Sequence, residues 1–210
     1  MQIKRDVYLS KLKSKKENGF IKVITGIRRC GKSFLLFNLY HEYLNSIGVE
    51  NSQIIEIALD EVRNAKYRNP IELDNYIRSL IVDKDKMYYV FIDEIQKVDA
   101  IQNPYVDNED SKITFVDTML GLMKITNVDL YVTGSNSKML SSDILTEFKD
   151  RGDEIRVNPL TYKELCEVRG TCGYLVWQEY ITYGGMPLAV LKNTNEEKIK
   201  YLKDLFEKTY

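Results

Sequence analysis

Phe20-Ile-Lys-Val-Ile-Thr-Gly26-Ile-Arg-Arg-Cys-Gly31-Lys32-Ser33-Phe34-Leu-Leu-Phe-Asn-Leu-Tyr-His-Glu-Tyr-Leu44 joins an apolar, β-branched run to a stretch with helical apolar spacing through a glycine-bounded turn. Its centre, Gly26 to Ser33, satisfies G-x-x-x-x-G-K-[ST] at every position, with the strand before it and the helix after it that give the pattern its meaning. The glycines let the main chain wrap a polyphosphate, and the N–H groups of the loop and of the first helical turn point at its oxygens. Lys32 supplies a compact positive charge toward the β- and γ-phosphates, and Ser33 offers a hydroxyl to Mg²⁺. The loop main chain at Gly26, Arg29, Cys30, Gly31, Lys32, Ser33 and Phe34 is therefore expected to surround a nucleotide. The side chains of Arg28 and Arg29 and the thiol of Cys30 receive no role from the pattern, which leaves those positions variable.

Outward from the loop, short β-rich runs alternate with longer helical ones, the arrangement of a parallel sheet with helices on its faces. Strands are expected at 20–25, 53–59, 87–92, 130–133 and 154–157. The first helix runs from the loop to Leu44, with Gly48 beyond its end. A second opens at Asn69-Pro70-Ile71, where proline suits the first turn, and carries Ile71, Leu73, Ile77, Leu80 and Ile81 as a core-facing stripe. Residues 99–112 have the composition of an exposed, mobile loop before a helix at 115–123. After Pro159 the β-rich runs stop. Thr161-Tyr-Lys-Glu-Leu opens a capped helix, and 174–183 and 196–208 are helical. The expected organisation is a core over 1–158 and a small helical subdomain over 159–210.

A second chemical signal is Tyr88-Tyr-Val-Phe-Ile-Asp93-Glu94, an apolar strand ending in two carboxylates. Asp93 at the strand's C-terminal edge can hold a water on the metal, and Glu94 is placed to orient or deprotonate an attacking water. The same pair also fits a cap on the following helix. Leu130-Tyr-Val-Thr133-Gly134-Ser135-Asn136 ends another strand in hydrogen-bonding side chains, which suits a γ-phosphate sensor and equally an ordinary turn with a helix cap.

The balance of 30 Lys+Arg against 31 Asp+Glu gives a formal charge of −1, so no global positive field draws nucleic acid or acidic membrane. A 44% hydrophobic, 29% charged chain of 210 residues folds around one main core. No signal-peptide pattern or membrane-length apolar run occurs, so the cytoplasm is the expected compartment and no membrane partner is expected. Three cysteines, Cys30, Cys166 and Cys172, read as reduced thiols, and the only histidine, His41, gives them no metal-ligand company.

Six ordered stretches, namely the Gly26–Ser33 loop, Phe-Ile-Asp93-Glu-Ile-Gln, Val-Thr-Gly-Ser-Asn-Ser-Lys-Met-Leu, Arg151-Gly-Asp-Glu-Ile-Arg-Val, Pro159-Leu-Thr-Tyr-Lys-Glu and Tyr183-Gly-Gly-Met-Pro, together resemble the prokaryotic AAA+ superfamily ATPases over nearly the whole chain. The resemblance implies an α/β P-loop NTPase fold of AAA+ type, with a five-stranded parallel sheet in the order 5-1-4-3-2 and a C-terminal helical lid. It also implies ATP as nucleotide and Mg²⁺ as metal, with Lys32 and Ser33 in the phosphate loop, Asp93 and Glu94 at the metal and water positions, and Asn136 as sensor. Arg151 matches the arginine before the fifth strand, a finger for a neighbouring subunit in a homo-oligomer. Members continue past Gly-Gly-Met-Pro into a C-terminal domain of unknown function, so a truncated chain is expected.

The leading functional expectation is a Mg-dependent ATPase whose nucleotide state drives an effector domain or partner. The runner-up is a nucleotide-dependent DNA- or protein-binding module with little turnover. A small-molecule kinase ranks below both, because an Asp-Glu pair at a strand end favours water activation.

Overall fold

A computed structural model describes residues 2–108, 110–134, 148 and 151–209. Its centre is a parallel sheet of β1 (Ile21–Thr25), β2 (Ile54–Ala58), β3 (Tyr88–Asp93), β6 (Val128–Thr133) and β7 (Gly152–Arg156). The spatial order is β2-β3-β6-β1-β7. Counted along the chain, these five strands stand as 5-1-4-3-2, the expected order. Register pairs Ile24 with Thr133, Thr25 with Arg156 and Ala58 with Asp93, so the ends of β1, β6 and β3 lie side by side along one edge.

Both faces of the sheet are covered, which is why its inner strands β1, β3 and β6 are rich in buried apolar residues, while the edge strand β7 is largely polar. Alternate residues diverge to opposite faces. Ile21, Val23, Val90, Ile92, Leu130 and Val132 pack with Leu73 and Ile77 of α4 (Pro70–Leu80) and with Met119 and Leu122 of α5 (Phe115–Leu122). Ile24, Tyr89, Phe91 and Tyr131 pack with α1 (Asp6–Lys15) and with the helix that leaves the loop. That helix begins as α2 (Lys32–Phe34), widens to π geometry over Leu35–Tyr40 and continues as α3 (His41–Ser46). The wide segment buries Leu35, Leu36, Leu39 and Tyr40 together, where regular helical spacing was expected.

Several other expectations meet local corrections. The charged α1 escapes the pattern because only Tyr8 and Leu12 of it are buried. In α4, Asn69 caps the helix through its side chain and Pro70 takes the first turn, yet only Leu73 and Ile77 of the proposed stripe are fully buried, while Leu80 is exposed. The loop at 99–112 carries an antiparallel ribbon, β4 (Ile101–Gln102) against β5 (Lys112–Ile113). His41 hydrogen bonds Glu56 through Nδ1 and Asn51 through Nε2, a surface bridge.

Beyond Pro159 a third apolar cluster gathers Ile3, Leu160, Leu165, Cys166, Val176 and Val190. Around it lie α6 (Tyr162–Arg169), α7 (Tyr174–Tyr183), α8 (Pro187–Val190) and α9 (Asn195–Thr209). Thr161 and Glu164 form the expected capping box on α6: the Glu164 N–H donates to Thr161 Oγ1, and the Thr161 N–H donates to Glu164 Oε2 at 2.8 Å. Gly170 ends α6 in the left-handed region and turns the chain back. Cys172 thereby reaches Cys166, and the two form a disulfide with Cα atoms 5.0 Å apart, which corrects the reading of three reduced thiols. Cys30 is the free cysteine and is buried.

Candidate functional site

The ends of β1, β3 and β6 define the site. Gly26 follows β1 at φ +141°, where a Cβ would collide with the carbonyl oxygen of Val157. Glycine is the residue that lets the loop leave the sheet this close to the β7 exit. Gly31, at φ +98°, turns the chain into α2, and Arg29 adopts the left-handed region at φ +64° between them. The Cys30 side chain points inward and sits 3.3 Å from the Val157 carbonyl oxygen. Burial raises its thiol pKa, with Lys32 and Arg5 opposing more weakly, so this cysteine packs the loop from beneath.

Lys32 is buried, and its ammonium spans the loop, donating to the carbonyls of Gly26 at 2.9 Å and Ile27 at 3.1 Å. Ser33 Oγ donates to Asp93 Oδ1 at 3.0 Å, and Thr133 Oγ1 donates to the same oxygen. Thr133 Oγ1 also accepts the Glu94 N–H at 3.2 Å, so one hydroxyl on β6 positions both carboxylate residues of β3. Glu94 itself stands at φ +57°, a conformation that costs an ordinary residue on the order of 1 kcal/mol and that concentrates at functional sites. It precedes a 3₁₀ turn (Ile95–Lys97) without a side-chain capping bond, so the helix-cap alternative is not realised by its carboxylate, which accepts from Gln96 Nε2.

A cavity of about 300 Å³ opens on this edge. Arg29, Gly31, Lys32, Ser33, Phe34 and Glu94 form one wall, and Ile3, Arg5, Pro187, Leu188 and Leu191 form the other. The second wall escaped sequence reasoning, except that Gly-Gly-Met-Pro stood out as a stretch. Its placement depends on Gly185, whose N–H-bearing neighbourhood abuts Leu160: the Leu160 N–H donates to the Gly185 carbonyl at 2.7 Å, and a Cβ at Gly185 would overlap the Leu160 main chain. That close approach holds α8 over the loop. From α9, the ring of Tyr201 lies 5.8 Å beneath the Arg29 guanidinium.

The wall combines a glycine-bounded loop at a helix start, one lysine and an apolar surface, a set that suits a polyphosphate joined to a flat aromatic base. Ser33 and Asp93 offer a hydroxyl and a carboxylate oxygen 3.0 Å apart, the hard donors that Mg²⁺ prefers. Burial raises the Asp93 pKa, the hydrogen bonds from Thr133 and Ser33 work against this, and the charges of Glu94 and Asp60 add to the rise. A cation held there would relieve that excess of negative charge.

The sign of this shift makes a prediction. A carboxyl whose folded pKa is raised penalises the fold above that pKa, and the penalty fades as pH falls toward the unfolded value. Asp93→Asn keeps an acceptor for Ser33 and Thr133 while removing the charge. It is expected to stabilise the nucleotide-free protein at neutral pH by on the order of 1 kcal/mol, with the gain shrinking below the folded pKa. Thermal unfolding across a pH series measures it, and a lower Tm at neutral pH would contradict it.

One sequence-derived residue does not join this cluster. Arg151 is exposed, and its carbonyl accepts the N–H of Ile21 at the strand-start edge, so it stands at the opposite end of β1 from its own chain's loop. Asn136 lies outside the described residues, as does Ser135.

Residues 18–166 match a family model described as an AAA domain. An uncharacterized protein of Haemophilus influenzae is 29% identical over 195 residues, covering 90% of this chain and 45% of that protein. The uncharacterized protein MJ1544 of Methanocaldococcus jannaschii is 26% identical, covering 98% of this chain and 43% of the relative. The chain thus spans less than half the length of the curated relatives it matches. Among solved structures, a DNA polymerase III gamma subunit-related protein of Thermotoga maritima superposes over 88% of this chain and 56% of its own, with TM-score 0.56 at 15% identity. PCH-2 of C. elegans superposes over 77% of this chain and 43% of its own, with TM-score 0.50 at 17% identity, a likeness of fold.

Proposed function

Because this chain belongs to the AAA domain family, we propose that its nucleotide-binding, ATPase-like module takes up Mg·ATP in the cavity between the loop and α8 and hydrolyses it. The observation that carries this reading is the junction of loop and acidic strand tip, where Ser33 Oγ lies 3.0 Å from Asp93 Oδ1. The loop amides and Lys32 bind the phosphates, with the lysine exchanging the carbonyls of Gly26 and Ile27 for phosphate oxygens. Ser33 and Asp93 would hold Mg²⁺, which supplies positive charge to the β- and γ-phosphate oxygens when bound. Glu94 orients and deprotonates water, Asn136 senses the γ-phosphate, and Arg151 completes the site of a neighbouring copy in a homo-oligomer.

In this reading the helices of 159–210 act as a lid over a core of 1–158. The nucleotide state acts through them on an effector domain or on a DNA or protein partner. Among the described residues no helix is long and apolar enough to cross a membrane. A second reading is nucleotide-gated binding of a DNA or protein partner with little turnover.

Calorimetric titration with ATP, with and without Mg²⁺, tests the proposal. Wild-type protein is expected to bind with Mg²⁺ present, and Lys32→Ala to weaken binding by about tenfold or more, the worth of a charge-assisted contact. Absence of binding by the wild-type protein under both conditions would sink it. Binding without phosphate release would favour the second reading.

A further inference from the structure

Arg5, on the cavity wall, is a charged residue only 3% exposed. Its guanidinium joins three distant segments. Nη1 donates to the Cys30 carbonyl in the phosphate loop at 3.1 Å, Nη2 donates to the Asn158 carbonyl beyond β7 at 2.5 Å, and Nε lies 3.0 Å from Glu164 Oε1 on α6. The Tyr8 ring lies 4.7 Å from the guanidinium, and the Tyr8 hydroxyl accepts the Asn158 N–H, so the arginine is held from below as well.

The bond to Cys30 has a geometric consequence. The Cys30 carbonyl and the Gly31 N–H belong to one planar trans peptide and point in opposite directions. By holding the Cys30 oxygen, Arg5 fixes the plane of this peptide and with it the direction of the Gly31 N–H. Glu164 divides its carboxylate between two tasks: Oε1 pairs with Arg5, while Oε2 accepts the N–H and hydroxyl of Thr161 at the start of α6. The orientation of one phosphate-loop peptide and the position of the first lid helix thus meet at one side chain. A planar fork with fixed donors serves the two main-chain carbonyls at once while setting its charge against Glu164.

We infer that Arg5 and Glu164 form the positioning link through which nucleotide occupancy of the phosphate loop is transmitted to the C-terminal helices. This rests on the Mg·ATP reading above. A phosphate accepting from the Gly31 N–H polarises the peptide and strengthens the Arg5 bond to Cys30, and the pull passes to Glu164 and the α6 start. Tyr162 of that start packs edge-on against Trp177 of α7 at 5.2 Å, so the chain's single tryptophan reports the movement.

The experiment pairs nucleotide affinity with Trp177 emission in wild-type, Glu164→Gln, Arg5→Lys and the double variant. Gln is a competent capping-box residue, so Glu164→Gln removes the charge while leaving the α6 cap. Wild-type emission is expected to change on saturation with Mg·ATP. In Glu164→Gln and Arg5→Lys the change per bound nucleotide falls at least about fivefold, and the affinity losses of the two substitutions are not multiplied in the double variant, as for residues on one link. A merely structural pair would lower Tm and leave the emission change intact. An undiminished Trp177 response in Glu164→Gln, or no response in a wild-type protein that binds Mg·ATP, overturns the link alone. Failure of the wild-type protein to bind Mg·ATP overturns the underlying reading with it.

Discussion

Glu94→Gln is expected to leave Mg·ATP affinity within about twofold of wild type and to lower the rate of phosphate release by about 10²–10⁴-fold, the range that a positioned general base contributes. The argument rests on placement. Glu94 directly follows β3, in a left-handed conformation that its own chemistry does not favour, and the Thr133 hydroxyl grips its N–H. Its carboxylate accepts from Gln96 and lines the cavity beside Lys32 and Ser33. Gln preserves the size and one acceptor and cannot take a proton, so binding survives while water activation is lost. Steady-state phosphate release beside calorimetric affinity separates the two. A variant that turns over at the wild-type rate removes Glu94 from the chemistry, whereas equal losses of rate and affinity would mark it as a binding residue.

The largest stability effect is expected at the strand-start end of the sheet, away from the site. Asp129 in β6 is 2% exposed and accepts from Lys22 Nζ, from the Tyr131 hydroxyl at 2.7 Å and from the Glu17 N–H at 2.8 Å. Lys22 is fully buried. Its pKa is lowered by that burial, and Asp129 opposes the shift. Asp129→Ala strips a buried ammonium of its counter-ion and should cost about 3–5 kcal/mol. Because the folded state then holds the Lys22 proton less tightly than the unfolded chain, the loss should diminish as pH rises toward the ordinary lysine range. Lys22→Met combined with Asp129→Leu should recover most of it, since removing both charges leaves nothing uncompensated. Urea unfolding at several pH values reads both effects, and a double variant no more stable than Asp129→Ala would refute the ion-pair account.

The candidate site was legible where its parts are continuous in sequence. Gly26, Gly31, Lys32 and Ser33 sit in one loop whose spacing is dictated by the main-chain path, and Asp93-Glu94 ends a strand apolar enough to mark its own edge. Their meeting follows from parallel strands that all end at one edge of the sheet. Thr133 was visible as a hydrogen-bonding residue at a strand end, but its hold on both Asp93 and Glu94 needs β6 beside β3. Cys166 and Cys172 went unpaired in the sequence reading because three cysteines in a chain of this charge and size carry no pairing signal. Their bond depends on the turn at Gly170.

Local regularities determined the five strands, the loop between β1 and α2, the caps at Asn69 and Thr161 and the chemistry of the loop, because each depends on neighbours a few residues away and on alternation that the main chain enforces. Tertiary structure alone decided the roles of Arg5, Lys22, Asp129 and Gly185. Their partners lie far off along the chain: Asn158 and Glu164 for Arg5, Asp129 for Lys22 and Leu160 for Gly185. A charged side chain carries no local mark of burial, because desolvation is tolerated only once a distant partner has been folded against it.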